Sequence, residues 1–152
     1  MSQIETPSPH AARQHWMATL ARASAEDLAA RLATLPPFPD PETLRAPETG
    51  LVMVRGRAGG DGEAFNLGEM TVTRCAMRLG PHIGHAYIAG RDHAKARLAA
   101  LLDAALQDSA LHHTCMHAVV EPLAAAQREA RAAEARKAAA TRVDFFTMAT
   151  MR

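Results

Sequence analysis

Pro36, Pro37, Pro39, Pro41 and Pro47 crowd into one short stretch of a chain that holds 9 prolines in 152 residues. Each proline lacks a backbone N–H and fixes φ, and each pushes the residue before it out of the helical region. No helix can cross such a stretch, and a central strand cannot use it. The segment 36–47 is therefore expected to be an irregular connector, with helices before it and strands after it. A chain of this length is expected to form one domain, residues 1–152, large enough to bury a core. Its first residues, 1–8, are expected to be flexible.

Ahead of the connector, Ser8 and Pro9 form an N-cap and first-turn pair. The helix they open puts Ala12, Trp16, Leu20 and Ala23 on one face. Ser24 caps a second helix, with Asp27 standing where a capping box usually has Glu. Leu28, Leu32 and Leu35 form its apolar face, and Pro36 and Pro37 stop it.

Beyond the connector the pattern turns to strands. Leu51 to Arg57 begins apolar and becomes polar, Gly59-Gly60-Asp61-Gly62 reads as a turn, and Ala64 to Leu67 returns as a strand. The alternation then slips. Phe65 and Leu67 are odd-numbered, Met70 and Val72 even, and Cys75, Met77 and Leu79 odd again. Strict period two cannot survive those changes, so turns or bulges are expected at Gly68 and at Thr73–Arg74. Gly80-Pro81 makes another turn before a short strand from Ile83 to Ala89.

Asp92 then caps a well-patterned helix whose expected buried stripe is Ala94, Leu98, Leu101, Leu102 and Ala105, with Lys95 and Asp103 turned outward. Pro122 suits the first turn of a long Ala-rich helix that runs to about Ala140, and the C-terminal helix and tail together occupy 122–152. The fold class that follows is α+β. It comprises a small, mostly antiparallel sheet with N-terminal helices, one amphipathic helix after the sheet and a long Ala-rich C-terminal helix.

A formal charge of +1 gives no basic field for nucleic acid, and no run approaches a membrane span. The N-terminus lacks the basic-then-apolar pattern of a signal peptide. Cys75, inside a strand, and Cys115 are the 2 cysteines, which suits free thiols in a reducing cytoplasm. A cytoplasmic protein is expected.

Several clusters invite a chemical reading. Gly56, Gly59, Gly60 and Gly62 with Arg55 and Arg57 resemble a phosphate cradle, but the spacing is not the Walker pattern and a strand follows, so a hairpin turn is favoured. Arg91, in Gly90-Arg91-Asp92, stands at a helix N-terminus where an anion is welcome; a strand-to-helix turn explains the same tripeptide. His112, His113, Cys115 and His117 offer zinc-type ligands, yet no second ligand pair sits at a finger-like distance, and a surface or half-buried cluster is favoured. Arg74 and Arg78 share a strand face across Ala76 and could meet phosphate, but basic residues on a solvated or interfacial sheet face are the commoner arrangement and are favoured. No nucleophile elbow, Cys–His signature or isolated carboxylate pair is present. No catalytic residue and no metal ligand is assigned.

The tail, Thr141-Arg142-Val143-Asp144-Phe145-Phe146-Thr147-Met148, holds two phenylalanines in a chain that has 4. It follows a helix poor in large apolar groups, so its apolar side chains need a surface to bury against, either on their own domain or on another subunit. This octapeptide resembles the C-terminal signature of the PhnG family, the G subunit of the bacterial carbon–phosphorus lyase core complex. Arg13-Gln14-His15-Trp16-Met17, Glu48-Thr49-Gly50-Leu51-Val52 and Gly90-Arg91-Asp92 agree with the same family in order and spacing. Residues up to Pro9 and from Leu111 to Val119 match least.

The resemblance implies an accessory subunit of an ATP-using transferase in phosphonate use. The family joins H, I and J subunits in a two-fold complex, with self-association implied. That system displaces adenine from ATP with a phosphonate, giving ribose 1-phosphonate 5-triphosphate. The family's nucleosidase-like chemistry is placed mainly on the I subunit, and the iron–sulfur cluster on the J subunit. No cofactor is expected in this chain; ATP is the substrate of the complex. Arg142, Val143, Asp144, Phe145, Phe146 and Met148 are the expected subunit contacts, and Arg55, Arg57 and Arg91 the candidates for touching triphosphate or phosphonate. A free-standing metal-binding or regulatory protein built on His112–His117 is the alternative from another class.

Overall fold

The computed structural model describes residues 9–59 and 61–143. Two helices, α1 (Pro9–Arg22) and α2 (Ala25–Leu32), precede three strands, β1 (Glu42–Arg57), β2 (Ala64–Leu79) and β3 (His82–Ala89). Helix α3 (His93–Gln107) follows. A last helical run is made of α4 (Ser109–Cys115), a π turn at Met116–Val120 and α5 (Glu121–Ala140). The architecture is α+β, as expected. The sheet is an antiparallel meander in the order β1-β2-β3.

One face of the sheet is covered. Thr73, Cys75, Met77 and Leu79 of β2 and Ala86 and Ile88 of β3 are buried beneath Ala96, Ala99, Ala100, Leu102, Ala104 and Leu106 of α3. Small side chains let helix and sheet approach closely, and Gly84 marks the tightest point. A Cβ there would run into the Ala100 carbonyl oxygen and the Ala104 amide nitrogen. Trp16, Leu20 and Leu28 from α1 and α2 join the same core, as do Val119, Val120 and Leu123. The π turn inserts one extra residue per turn, and Cys115, Val119 and Val120 on or beside it are all buried.

Local capping follows the sequence. The amide of Asp27 donates to Ser24 Oγ at 3.0 Å, and the Ser24 hydroxyl donates to the Asp27 carboxylate at 2.7 Å. Asp92 Oδ1 accepts from the Lys95 amide at 2.9 Å. Ser8, the expected cap of α1, lies outside the described residues.

Three expectations are corrected. The connector is shorter than 36–47, because β1 begins at Glu42 and carries Pro47 within it. Pro47 is tolerated because β1 is an edge strand and because its pairing with β2 skips there, from Arg45↔Ala76 to Glu48↔Arg74. The Thr73–Arg74 region carries no bulge on β2, since both residues pair in register with β1 and β3. The broken parity reflects a change of environment: β2 is exposed over most of its first half and buried over its second. The irregularity expected at Gly68 is present, with Leu67 left between Val54↔Gly68 and Arg55↔Asn66. Finally, Ala94 is exposed, whereas Asp103, expected to face solvent, is fully buried. A helical wheel assigns a carboxylate to water by type, and cannot anticipate a guanidinium arriving from α1.

Two elements run past the core. The distal parts of β1 and β2 form a ribbon with Leu51, Met53, Phe65 and Leu67 exposed on its two faces. Helix α5 has its last buried residues at Leu123 and Ala124. Gln127 Nε2 donates to the Thr19 carbonyl at 2.9 Å, and about 20 Å of mostly exposed helix continues beyond it.

Candidate functional site

Strand β3 is the other edge of the sheet, and two of its outward backbone groups, the His85 amide and the Ile83 carbonyl, are bound by side chains. Asp103 Oδ2 accepts from the His85 amide at 2.9 Å. Gln107 Nε2 donates to the Ile83 carbonyl at 2.8 Å, and Arg13 Nη2 donates to the same oxygen at 3.4 Å. Asp103 also takes the Arg13 fork and the Trp16 indole N–H. A buried carboxylate thus does for β3 what a neighbouring strand would do, and fixes α1 against α3 at the same time.

The opposite, open face of the sheet is ordered by register. Glu48, Arg74 and Tyr87 stand in line across the three strands, and Arg45, Ala76 and His85 form the next line. Glu48 Oε1 accepts from Arg74 Nε at 2.6 Å and from Arg45 Nη1 at 3.1 Å. Arg78 Nη1 pairs with Glu42 Oε2 at 3.2 Å further along. The Arg74 guanidinium is held above its ordinary pKa, first by the Glu48 hydrogen bond and then by one to Tyr87. Arg45, Arg74, Cys75, Ala76, His85 and Tyr87 line a concavity of about 280 Å³. Ala76 is its floor, covered to 8% exposure although it faces outward.

The residues singled out from sequence fall elsewhere. Arg57 Nη1 donates to the Gly62 carbonyl at 3.1 Å, a bond that closes the hairpin turn. Gly59 sits there at φ +65°, and Gly60 lies outside the described residues. Arg55 pairs with Asn66, while Arg91 follows Gly90, whose amide donates to the Thr71 carbonyl. From Asn66 to Thr71 is about 17 Å of strand, so the fold does not bring Arg55 and Arg91 together. Gly90 has φ +91°, accepts from Thr73 Oγ1 at 2.8 Å and precedes the Asp92 cap, which accounts for the tripeptide as a turn.

The histidine cluster does not converge. The His112 ring nitrogen Nδ1 is 2.7 Å from the Leu106 carbonyl oxygen, and its ring meets Trp16 edge-on. His113 and His117 stack with ring centres 6.5 Å apart. Cys115 is buried, and burial with nearby Asp108 pushes its thiol up to about 11. Among the described residues no three His, Cys, Asp or Glu side chains group as a metal site. Of the tail, Val143 is 68% exposed, and Asp144, Phe145, Phe146 and Met148 lie outside the described residues.

Sequence reasoning noticed Arg74 and Arg78 but missed Arg45 and His85. Arg45 sat inside the supposed connector, and His85 gains its neighbours only across the sheet. The spacing Arg45-x-x-Glu48 was the available signal.

The fold is therefore of the α+β class, with one sheet face packed, the other open and charged, and an apolar ribbon projecting beyond the core. The chain belongs to the PhnG family: the family model described as "Phosphonate metabolism protein PhnG" matches residues 11–150. It is similar to the alpha-D-ribose 1-methylphosphonate 5-triphosphate synthase subunit PhnG of Rhizobium meliloti (strain 1021). The two are 46% identical over 139 residues, covering 91% of this chain and 88% of that one.

Proposed function

We propose that this chain is an accessory subunit of a carbon–phosphorus lyase core complex in the cytoplasm. In that role it is required for transfer of ribose 5-triphosphate from ATP to an alkylphosphonate with release of adenine. The 46% identity to a protein named as a subunit of that synthase, over 91% of this chain, carries the reading. The exposed apolar ribbon supports association, since a soluble chain gains by covering such side chains against another surface. In this reading H, I and J subunits are the partners. The ribbon and the segment Arg142 to Met148, with Phe145 and Phe146, make the contacts.

The test is co-expression of this chain with the three partner subunits, followed by assay of adenine release from ATP and methylphosphonate. Omitting this chain is expected to abolish adenine release, and adding the chain back is expected to restore it. Undiminished release without it overturns the accessory role. Adenine release by the purified chain alone, at a rate comparable to the assembly, would show that the chemistry resides here.

A further inference from the structure

We propose that the concavity over Ala76 binds a phosphorus oxyanion, a phosphoryl or phosphonyl group held between Arg45, Arg74 and His85. The choice of phosphorus over other oxyanions rests on the reading of this chain as part of an ATP- and phosphonate-using assembly. The site itself rests on geometry.

Register sets the dimensions. Arg45 and His85 flank Ala76 from the two outer strands, so their backbones are about 10 Å apart, two interstrand spacings. A methyl side chain between them leaves a recess, and the concavity of about 280 Å³ has room for more than one phosphoryl unit. Arg74 and Tyr87 close one end of it, adjacent on neighbouring strands.

Charge favours an anion. Two guanidinium groups share a single carboxylate oxygen, that of Glu48, leaving an excess of one positive charge over this trio. Each guanidinium carries five N–H donors; the Glu48 bonds engage one from each and Tyr87 a further one from Arg74, so both retain donors. Planar forks of this kind match the oxygens of a phosphoryl group, which competes with the Glu48 carboxylate for them. The Tyr87 hydroxyl and a His85 ring nitrogen add donors from the third strand. His85 is not loosely placed: its amide is bound by buried Asp103, which anchors β3 under the site.

The experiment is titration of the full chain, alone and in the co-purified assembly, with tripolyphosphate, inorganic phosphate, methylphosphonate and sulfate at constant ionic strength. Calorimetry and phosphorus NMR line broadening are the readouts. Saturable binding of tripolyphosphate or methylphosphonate is expected, in preference to sulfate, and the tighter of the two identifies the source of the group. Arg45→Ala and Arg74→Ala are each expected to weaken it about tenfold or more. Glu48→Gln removes the competing carboxylate and is expected to tighten it, an effect of opposite sign that loss of fold cannot mimic. The double variant Arg55→Ala with Arg57→Ala is expected to leave it unchanged.

Absence of saturable binding, equal response to sulfate, or weakening by Glu48→Gln overturns the site. So does loss confined to the Arg55/Arg57 variant, which restores the hairpin as the anion contact. Adenine release is measured separately. A chain that binds tripolyphosphate yet is dispensable for release defeats the accessory role and leaves this site standing. A chain that is indispensable but binds nothing does the reverse.

Discussion

The Arg13 guanidinium meets the Asp103 carboxylate as a two-pronged fork, with Nη2 2.8 Å from Oδ2 and Nε 3.2 Å from Oδ1. The carboxylate is fully buried, and it also accepts from Trp16 Nε1 at 2.9 Å and from the His85 amide. One side chain on α3 therefore ties α1 and the edge of β3 to the same point. Removing one partner from such a set leaves buried donors without an acceptor, which costs far more than a surface pair is worth.

Asp103→Ala is accordingly expected to destabilise the chain by about 3–5 kcal/mol, while Asp103→Asn, which keeps an acceptor but not the charge, costs less. Urea unfolding followed by fluorescence of Trp16, the single tryptophan, measures both. A loss under about 1 kcal/mol for Asp103→Ala would show that these bonds contribute no more than an exposed ion pair does.

What could be read beforehand was set by local chemistry. Ser24 with Asp27, and Asp92 before α3, act within one turn of helix, and both caps were legible. The α+β order was legible for the same reason, from periodicity and proline placement. Asp103 was not, because its burial depends on Arg13, a partner far away in the chain. The open-face site was equally hidden. Arg45 belongs to a strand that proline content argued against, and its line with Ala76 and His85 exists only once the register is set.

Gly84 supplies the second prediction. Its missing side chain lets α3 lie against β3, where a Cβ would collide with backbone at Ala100 and Ala104. Backbone cannot swing aside as a flexible side chain can, so helix and strand must separate. Gly84→Ala is expected to cost about 2 kcal/mol or more, with a lower urea midpoint. Ala89→Gly, at the exposed end of the same strand, is expected to cost less than about 1 kcal/mol. Equal losses for the two variants would refute a close-packing role.

Cys115 gives a dependence on pH. Burial, aided by Asp108, pushes its thiol up to about 11 from an ordinary 9.0. The unfolded thiol ionises first as pH rises, so the folded state holds the proton more tightly between those values. The stability this confers is fully present below about pH 9 and is lost as pH climbs towards 11. Wild type is expected to lose about 2 kcal/mol across that window relative to Cys115→Ala, which has no thiol to ionise. Denaturation curves of the two proteins at both ends of the window test this, and parallel behaviour would contradict it.

The ribbon carries the last prediction. Leu51 and Leu67 are 63% and 65% exposed, and each already faces water in the isolated chain. Replacing such groups by serine removes little that the fold uses, so Leu51→Ser with Leu67→Ser is expected to change stability by less than about 0.5 kcal/mol. A partner surface that covers them loses much more. A leucine side chain taken from exposed to buried contributes about 1.5–3 kcal/mol, so one lost contact weakens binding roughly tenfold or more. Leu51 pairs with Thr71, while the Leu67 side chain lies 3.8 Å from where a Cβ on Gly56 would stand; positions 51 and 56 of β1 point to opposite faces, so the two report on opposite sides. The double variant is expected to keep its circular dichroism and yet fail to co-elute with the partner subunits in size-exclusion chromatography. Single variants then assign the contact to a face. If the double variant assembles normally, the ribbon is not the docking element, and Phe145→Ala with Phe146→Ala in the tail becomes the variant expected to disrupt assembly.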